Sequence, residues 1–392
     1  MATIKKRGKS YLIRSSGGYT LTGKHVEHSF TWTPDEGMTE RQIEKELNRQ
    51  AVLFDEKCKY GHKTTAVKFE KFAEEWLTEV APFQMKSTTY ERIKLVRNRI
   101  YPAIGHMRLD KITTRDLQKL VNSFTKEGVN ERTGGSLAPK TIRHYVTFIS
   151  DVFNYAMRMD LVSNNPCNRL IFPTGEPKEK QIYTQKEIEK LFMRLQGEPL
   201  KYRAFFTLIT YSGFRRSEML GLEWKDIDFE SGVISVRRTS NYTKAQGIYT
   251  DTTKTKRSRR SLKFPPYVME ILRDYKAEQD KEREELGNFW VDTDRLFVKW
   301  NGEPMNNQTP YGWLKEFCER VELPFYGLHS FRHFNASALI NAGVDVTSVS
   351  SALGHSVPST TMNIYSHVFD TVQTKVSDAI TSSLDFSSRT NV

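Results

Sequence analysis

The sequence is poor in the features that mark secreted and membrane proteins. Its three cysteines, Cys58, Cys167 and Cys318, are odd in number and far apart, so they form neither a disulfide framework nor a zinc-binding spacing. No apolar run approaches the roughly 18 residues that suggest a membrane-spanning helix, and the N-terminus lacks the apolar segment of a signal peptide. We therefore expect a protein of the reducing cytoplasm that does not bind a membrane.

Acidic residues are missing from the start of the chain. The first 25 residues contain six lysines and arginines and no acid, and residues 61–172 contain 18 basic against 11 acidic side chains. Residues 173–392 are nearly balanced, at 30 against 28, in a chain of net charge +12. A basic excess suits nucleic acid, an anionic membrane surface or simple solubility. Without a membrane segment we favour nucleic acid, and any DNA-binding charge in the C-terminal half must be local.

The 392 residues are enough for two or three domains, and the first is predicted over residues 1–60. Polar and apolar residues alternate on both sides of a glycine-rich turn, which is typical of short antiparallel strands. A helix should follow, with Thr39 as its N-cap and Gln42 completing a capping box. The alternative is a basic tail on a purely structural module. The candidate DNA contacts of this segment are Lys5, Lys6, Arg7, Lys9 and Arg14.

Residues 64–172 contain four amphipathic helical patterns, preceded by a linker that begins at Cys58. The second helix should begin with Thr88 as N-cap and Glu91 as its partner, and the fourth at Pro139. The faces opposite the apolar stripes are basic. For any single lysine a solvated surface is the simpler explanation, but the charge of the whole segment favours phosphate contact. The candidates are Lys86, Arg92, Lys140 and Arg143.

A third domain, residues 180–392, should follow a linker rich in proline, glycine and charge. Its first helix should be capped by Thr184, and a second, buried helix should end at Gly213. The stretch SGFRRSE follows and offers two arginines, Arg215 and Arg216. Glu218 comes three residues after the first of them and can pair with it or with a neighbouring cation, and so hold it in place.

A run of five positive charges lies further on, in the segment TKTKRSRRSL. Such a run usually marks a nuclear-targeting signal or a solvated surface. Short strands are expected before and after it, at Val233–Val236 and at Leu296–Val298. Its candidate DNA-binding residues are Lys256, Arg257 and Arg259.

The stretch from residue 327 to residue 367 holds the strongest candidates for chemistry. His329 and Arg332 are three residues apart and share a helix face, His355 follows a second helix, and Tyr365 comes ten residues later. This set suits attack on a phosphodiester, because cations can hold the non-bridging oxygens while a phenolate attacks phosphorus. The neighbouring His333 is expected to be structural.

These phrases, in this order, resemble the signature of the tyrosine recombinases, the integrase family. SGFRRSE resembles the family's Thr-Gly-x-Arg-x-x-Glu box, with serine in place of threonine, while HSFR, LGH and IYSH resemble its His-x-x-Arg, Leu-Gly-His and tyrosine elements. The family spacing selects Arg215 over Arg216. The basic run resembles the family's strand-turn-strand lysine finger, which points to Lys254 first and to Lys256 second.

The resemblance implies a multidomain fold. Residues 1–60 would be an arm-type DNA-binding domain of a small β-sheet and a helix, and residues 64–172 an all-α, SAM-like core-binding domain. Residues 180–392 would be a mainly α catalytic domain with some β-structure, ending in the tail 368–392, whose apolar stripe would pack on a neighbouring subunit or in cis.

The resemblance also implies an enzyme that cuts and rejoins DNA without a metal, ATP or any other cofactor. Tyr365 would attack the scissile phosphorus and form a 3′-phosphotyrosyl link, with Glu218 supporting Arg215. The catalytic set would be Arg215, Lys254, His329, Arg332, His355 and Tyr365.

The implied partners are double-stranded DNA attachment sites and three further copies of the chain in a tetramer on synapsed DNA. An excisionase and a host DNA-bending protein would assist, on the nucleoid of a bacterial host. The integrase of a phage or integrative conjugative element is preferred over three alternatives. An Xer-like resolvase normally lacks the N-terminal domain, a DNA-binding regulator would not need all six catalytic positions, and a related topoisomerase would act alone.

Overall fold

The chain forms two compact units, Met1–Pro177 and Lys178–Val392. The further boundary predicted near residue 60 remains a prediction. The structure, a computed structural model, describes residues 2–19, 25–60, 67–175, 181–252 and 259–354, together with residues 359 and 362.

The first unit begins with a three-stranded antiparallel sheet of β1 (Thr3–Arg7), β2 (Ser10–Tyr19) and β3 (His25–Trp32), in the order β1-β2-β3. Helix α1 (Glu40–Tyr60) packs on it. Leu12 and Ile13 of β2 and Leu47 of α1 are buried. The sheet and its helix confirm the predicted N-terminal architecture.

The start of α1 matches its prediction and its end does not. The backbone N–H of Thr39 donates to the side chain of Gln42 at 2.9 Å, which is one half of the expected capping box. The helix continues to Tyr60, because the apolar spacing of its inner face extends through Cys58. The linker therefore does not begin at Cys58.

The rest of the first unit is helical, as predicted, around one apolar core that contains Phe69, Trp76, Phe148 and Phe153. Its helices are α2 (Phe69–Glu79), α3 (Ala81–Gln84), α4 (Ser87–Ile100), α5 (Thr114–Ser123) and α6 (Pro139–Arg158).

One helix start was predicted wrongly and another was missed. Helix α4 begins at Ser87 with Lys86 in the extended N-cap position, so Thr88 lies inside the first turn and cannot cap it. The capping box of this unit belongs to α5, where the side chain of Thr113 accepts from Asp116 N–H and Asp116 accepts from Thr113 N–H at 3.0 Å. Helix α6 begins at Pro139, as expected.

The second unit is mainly helical with two small antiparallel sheets, ordered β4-β5-β8 and β6-β7. Its strands are β4 (Ile227–Asp228), β5 (Val233–Val236), β6 (Arg238–Thr243), β7 (Gly247–Thr252) and β8 (Arg260–Lys263). Its helices are α7 (Gln185–Leu195), α8 (Leu200–Ser212), α9 (Arg216–Met219), α10 (Pro266–Leu286), α11 (Thr309–Arg320), α12 (His329–Asn341) and α13 (Val346–Leu353).

Helix α8 lies at the centre of the second unit and contacts both α10 and α12. It is buried on nearly all sides, with Phe205, Phe206 and Ile209 almost fully inaccessible to solvent. The capping box of Thr184 and Glu187 is present at the start of α7, as predicted. This unit holds the elements on which the predicted catalytic residues lie.

The expected strand at Leu296–Val298 is not formed. Only isolated bridges flank that segment, Arg295 with Glu223 and Val298 with Pro304. The chain reverses at Gly302, whose φ of 81° suits a tight turn, but the residue opposite Val298 is Pro304, which has no backbone N–H to extend a ladder. Within the described ranges, no helix combines the length and the apolar character that crossing a bilayer requires.

Candidate active site

Arg215 is placed by the tight connection between α8 and α9. Gly213 ends α8 in the left-handed conformation, with φ of 60°. A Cβ atom there would come within 2.8 Å of both the Asn335 side-chain oxygen and the Leu353 side chain, so the position has room only for glycine. The chain then turns sharply, and Arg215 stands immediately before α9.

Glu218 holds Arg215 in two ways. One carboxylate oxygen accepts from the Arg215 backbone N–H at 2.9 Å, and the other accepts from the Arg215 guanidinium at 2.7 Å. The side chain of Glu218 is only 2 % exposed. Burial raises the pKa of Glu218, but the nearby charges and hydrogen bonds of Arg260 and Arg215 together outweigh burial, so the net pKa lies below its ordinary value and the group stays a carboxylate.

Arg332 lies on α12 and is almost completely buried, at 2 % exposure. Its guanidinium donates to the carbonyl of Gly213 at 2.8 Å and to the carbonyl of Leu353 at 2.6 Å. The Arg215 guanidinium donates to the next carbonyl, that of Gly354, at 3.1 Å. The fold therefore brings these two predicted cations together at the C-terminal end of α13, although they are far apart in sequence.

His329 opens α12 and is exposed. It lines a cleft of about 550 Å³ that Arg215 and Arg216 also line. Its ring lies 4.8 Å from that of His333, nearly perpendicular to it, and His333 is buried. His329 is therefore an accessible imidazole beside Arg215, whereas His333 is a buried imidazole packed against His329. Other polar side chains of the cleft are Ser217, Asn241, Asn307, Tyr311 and Tyr326.

A larger cavity of about 930 Å³ lies between α7, α8 and α12. Its lining is mainly apolar, with Ile188, Phe192 and Leu339 among its residues, and it does not include Arg215 or His329. The smaller cleft differs from this cavity in its lining, which includes two arginines and a histidine.

Several predicted residues lie outside the described part of the chain. Strand β7 ends at Thr252 and β8 begins at Arg260, and the lysine segment lies between them; helix α13 ends at Leu353. Arg259, one of the predicted DNA contacts in the basic run, lies within the described residues and its side chain is exposed. The residues outside are Lys254, Lys256, Arg257, His355, Tyr365 and the tail 368–392.

The predicted DNA-contacting residues of the helical segment are exposed. Three basic neighbours that share its charged face are ion-paired, since Lys94, Arg97 and Arg99 lie 2.8–3.0 Å from glutamates. Burial and then the nearby charge of Arg92 lower the pKa of His144. The exposed set is Lys86, Arg92, Lys140 and Arg143.

The basic residues of the N-terminal sheet differ among themselves. Strand β1 is exposed along its whole length, and Lys9 is also exposed. Arg14, on β2, lies 3.3 Å from Glu27 in a pair that is open to solvent on both sides and therefore weak. The exposed members are Lys5, Lys6, Arg7 and Lys9.

The sequence analysis missed Arg260 as a site residue because it counted only as one of five charges. In the structure it is buried and bonded to Glu218. A usable signal was present, since Arg260 alternates with Leu262 and Phe264, and the pairing of β8 with β5 turns that side of the strand inward.

Comparisons with known proteins identify the family of the chain. Residues 181–371 match the phage integrase family, and residues 68–125 match the phage integrase N-terminal SAM-like domain, so the two matches together span more than half of the chain. The chain is 29 % identical over 329 residues to a protein named tyrosine recombinase XerC-like from Caldanaerobacter subterraneus, covering 78 % of this chain and 80 % of that one. It is 24 % identical over 381 residues to the ICEBs1 integrase of Bacillus subtilis, covering 97 % of this chain and 99 % of the relative.

A solved structure shares the fold. The Tn1549 transposon integrase in complex with a circular intermediate DNA superposes with a TM-score of 0.66 at 23 % identity, over 80 % of this chain and 99 % of that one. The chain belongs to the phage integrase family, the tyrosine recombinases. It is an enzyme, a site-specific DNA recombinase of the kind that phages and integrative conjugative elements carry.

Proposed function

We propose that this recombinase integrates and excises its mobile element by joining Tyr365 to DNA through a 3′-phosphotyrosyl bond. The observation that best supports this is the meeting of Arg215 and Arg332 at successive carbonyls, of Leu353 and Gly354, beside a cleft that His329 also lines. Two cations fixed before the substrate arrives can stabilise a phosphorane without reorganisation.

The proposed step conserves charge and protons. The Tyr365 oxygen attacks the scissile phosphorus, its proton passes to His329, and the bond from phosphorus to the bridging 5′ oxygen breaks. Lys254 gives a proton to that leaving oxygen. Arg215 and Arg332 hold the non-bridging oxygens, and His355 donates a hydrogen bond to the phosphate. Attack by the 5′-hydroxyl of a partner strand reverses the step and rejoins the DNA without a cofactor.

The three predicted segments take separate roles in this proposal. Residues 1–60 bind arm-type sites, residues 64–172 hold the core site, and residues 180–392 cut the strand. We propose that four copies assemble on synapsed attachment sites in the cytoplasm of a bacterial host, on its nucleoid, with an excisionase and a host DNA-bending protein. The tail 368–392 would link neighbouring copies, and unchanged assembly after truncation at Asp370 would count against that role.

The proposal is tested with a nicked suicide duplex that spans the joined ends of the element carrying this gene. Wild-type protein should form a covalent adduct, and Tyr365→Phe should bind the duplex equally well and form none. The matched control is Tyr242→Phe, an exposed tyrosine on β6 that should leave the adduct intact. An adduct with Tyr365→Phe would move the nucleophile elsewhere, with Tyr242 and Tyr249 examined first.

A further inference from the structure

Arg260 is a buried arginine at the start of β8, the strand that follows the lysine segment. It pairs with Val236 across the β5–β8 ladder, and its side chain is only 7 % exposed. Its neighbour Arg259 is exposed. A buried guanidinium is stable only when its hydrogen bonds are satisfied. The partners of Arg260 therefore indicate what this side chain does.

The first contact is with the carboxylate that supports Arg215. Arg260 lies 2.9 Å from one oxygen of Glu218, and Arg215 lies 2.7 Å from the other. One buried carboxylate thus bridges two guanidinium groups. Without Arg260, half of that bridge is missing, and Glu218 gains the freedom to rotate away from Arg215 or to take up a proton.

The second contact is with the C-terminal turn of α13. The Nε of Arg260 donates to the carbonyl of Ala352 at 2.6 Å. The same turn provides the Gly354 carbonyl to Arg215. A Cβ atom at Gly354 would lie 2.8 Å from the Arg260 guanidinium, so the turn and the guanidinium are in close contact.

The third contact fixes the plane of the guanidinium. Arg260 stacks over the ring of Phe214, with 4.9 Å between its central carbon and the ring centroid. Phe214 precedes Arg215 in the chain and is fully buried. Arg260 therefore touches both the residue before Arg215 and the carboxylate that holds Arg215.

We infer that Arg260 is a positioning residue for strand cleavage, which fixes Glu218, and through it the Arg215 guanidinium, against the last turn of α13. The inference rests on the proposed role of Arg215 at the scissile phosphate. The Arg260 guanidinium is bonded to Glu218 and Ala352 and stacked on Phe214, contacts that suit a positioning role. Its removal should slow cleavage at saturating DNA without weakening binding.

The test measures single-turnover adduct formation on the nicked suicide duplex at saturating DNA. Arg260→Ala should lower the rate about 100-fold, as expected when a reacting group is displaced by about 1 Å, while the Kd for the duplex stays unchanged. Arg260→Lys keeps the charge but cannot bond Glu218 and Ala352 together, so its rate should be intermediate. If Arg260→Ala does not fold, the rate of Arg260→Lys provides the test.

Chemical rescue separates a positioning role from a purely structural one. Millimolar guanidinium chloride should restore part of the rate of Arg260→Ala, whereas urea, a neutral molecule of the same shape, should not. The matched control is Arg238→Ala on β6, which also removes a guanidinium from a carboxylate pair, with Glu223 and Asp226. That variant should lose stability and keep the cleavage rate of its folded fraction.

The pH profile gives a second readout. Arg260 and Arg215 are the charged groups bonded to Glu218; on the neighbouring elements, Arg332 of α12 bonds carbonyls and Arg238 of β6 bonds other carboxylates. Without Arg260 the lowered pKa of Glu218 should rise, so the acidic limb of the rate profile should move to higher pH.

The outcomes are distinct. If the wild type forms no adduct, the proposed function fails. If the wild type forms an adduct and Arg260→Ala cleaves at the wild-type rate, loses only DNA affinity, or shows neither rescue nor a shifted pH profile, the positioning role is overturned and the proposed function stands.

Discussion

Exposed basic side chains lie along the helical part of the first unit, whereas three arginines near the cleft of the second unit are buried or paired. Each of the second group bonds a carbonyl or a carboxylate at 2.6–3.1 Å. The exposed group is Lys86, Arg92, Lys140 and Arg143, and the fixed group is Arg215, Arg260 and Arg332.

This difference explains why net charge locates one kind of DNA contact and misses the other. An exposed cation raises the net charge and attracts any phosphate, so its effect is general and depends on salt. The three fixed arginines are few among the 30 basic and 28 acidic side chains of residues 173–392, so the net charge does not reveal them, yet they have the fixed geometry that stabilising a transition state requires. Net charge therefore does not point to the second unit, although the arginines of the proposed active site lie there.

The largest expected effect comes from removing a fixed cation. Arg215→Gln should slow adduct formation on the suicide duplex by about 100- to 1000-fold, because the variant lacks one preorganised donor to the reacting oxygens. Binding of the duplex should change little. The control is Arg283→Gln, which removes an exposed arginine paired with Asp292 on the same unit and should cleave normally. Equal rates of adduct formation for Arg215→Gln and Arg283→Gln would contradict the prediction that fixed cations contribute more to cleavage than exposed ones.

A smaller effect is expected from the exposed set. The double variant Lys140→Gln, Arg143→Gln should lower the slope of log affinity against log salt by about 2, or about 0.9 for each phosphate that the protein no longer neutralises. The rate at saturating DNA should stay unchanged. The matched double variant Lys94→Gln, Arg99→Gln removes cations already paired with Glu91 and Glu131, so its salt slope should stay closer to wild type. Equal slopes for both would show that pairing does not decide which cations meet DNA.

The smallest effect tests whether the units differ in anything besides charge. Both contain a helix opened by a capping box, at Thr113 in the first unit and at Thr184 in the second. Thr113→Ala and Thr184→Ala should each cost about 1 kcal/mol, because each leaves a helix N–H without its partner. Hydrogen exchange should show reduced protection in α5 for the first variant and in α7 for the second. A clear difference in the loss of protection between them would mean that local helix stability also separates the units.

The sequence predicted contacts that arise within one turn of chain. Glu218 follows Arg215 by three residues, which places the two side chains within reach, and Thr184 and Glu187 have the same spacing. The predicted buried helix ended at Gly213 as expected. Local spacing was not always sufficient, since Thr88 has the right partner at Glu91 but lies inside α4.

Contacts between distant parts of the chain could not be predicted in this way. Arg332 donates to Gly213, 119 residues earlier, and Arg260 donates to Ala352, 92 residues later. Both depend on how α12, α13 and β8 pack together, which periodicity does not specify. The failed strand at Leu296–Val298 has the same origin, because its apolar residues fill a core without a strand to pair with along their length.

The carbonyls at the end of α13 couple the positions of Arg215 and Arg332. Arg332 donates a hydrogen bond to the carbonyl of Leu353, and Arg215 donates one to the carbonyl of Gly354. If the last turn of α13 rotates or shifts by one residue, both hydrogen bonds break at the same time. We therefore expect Arg215 and Arg332 to lose or regain their positions together, as one unit.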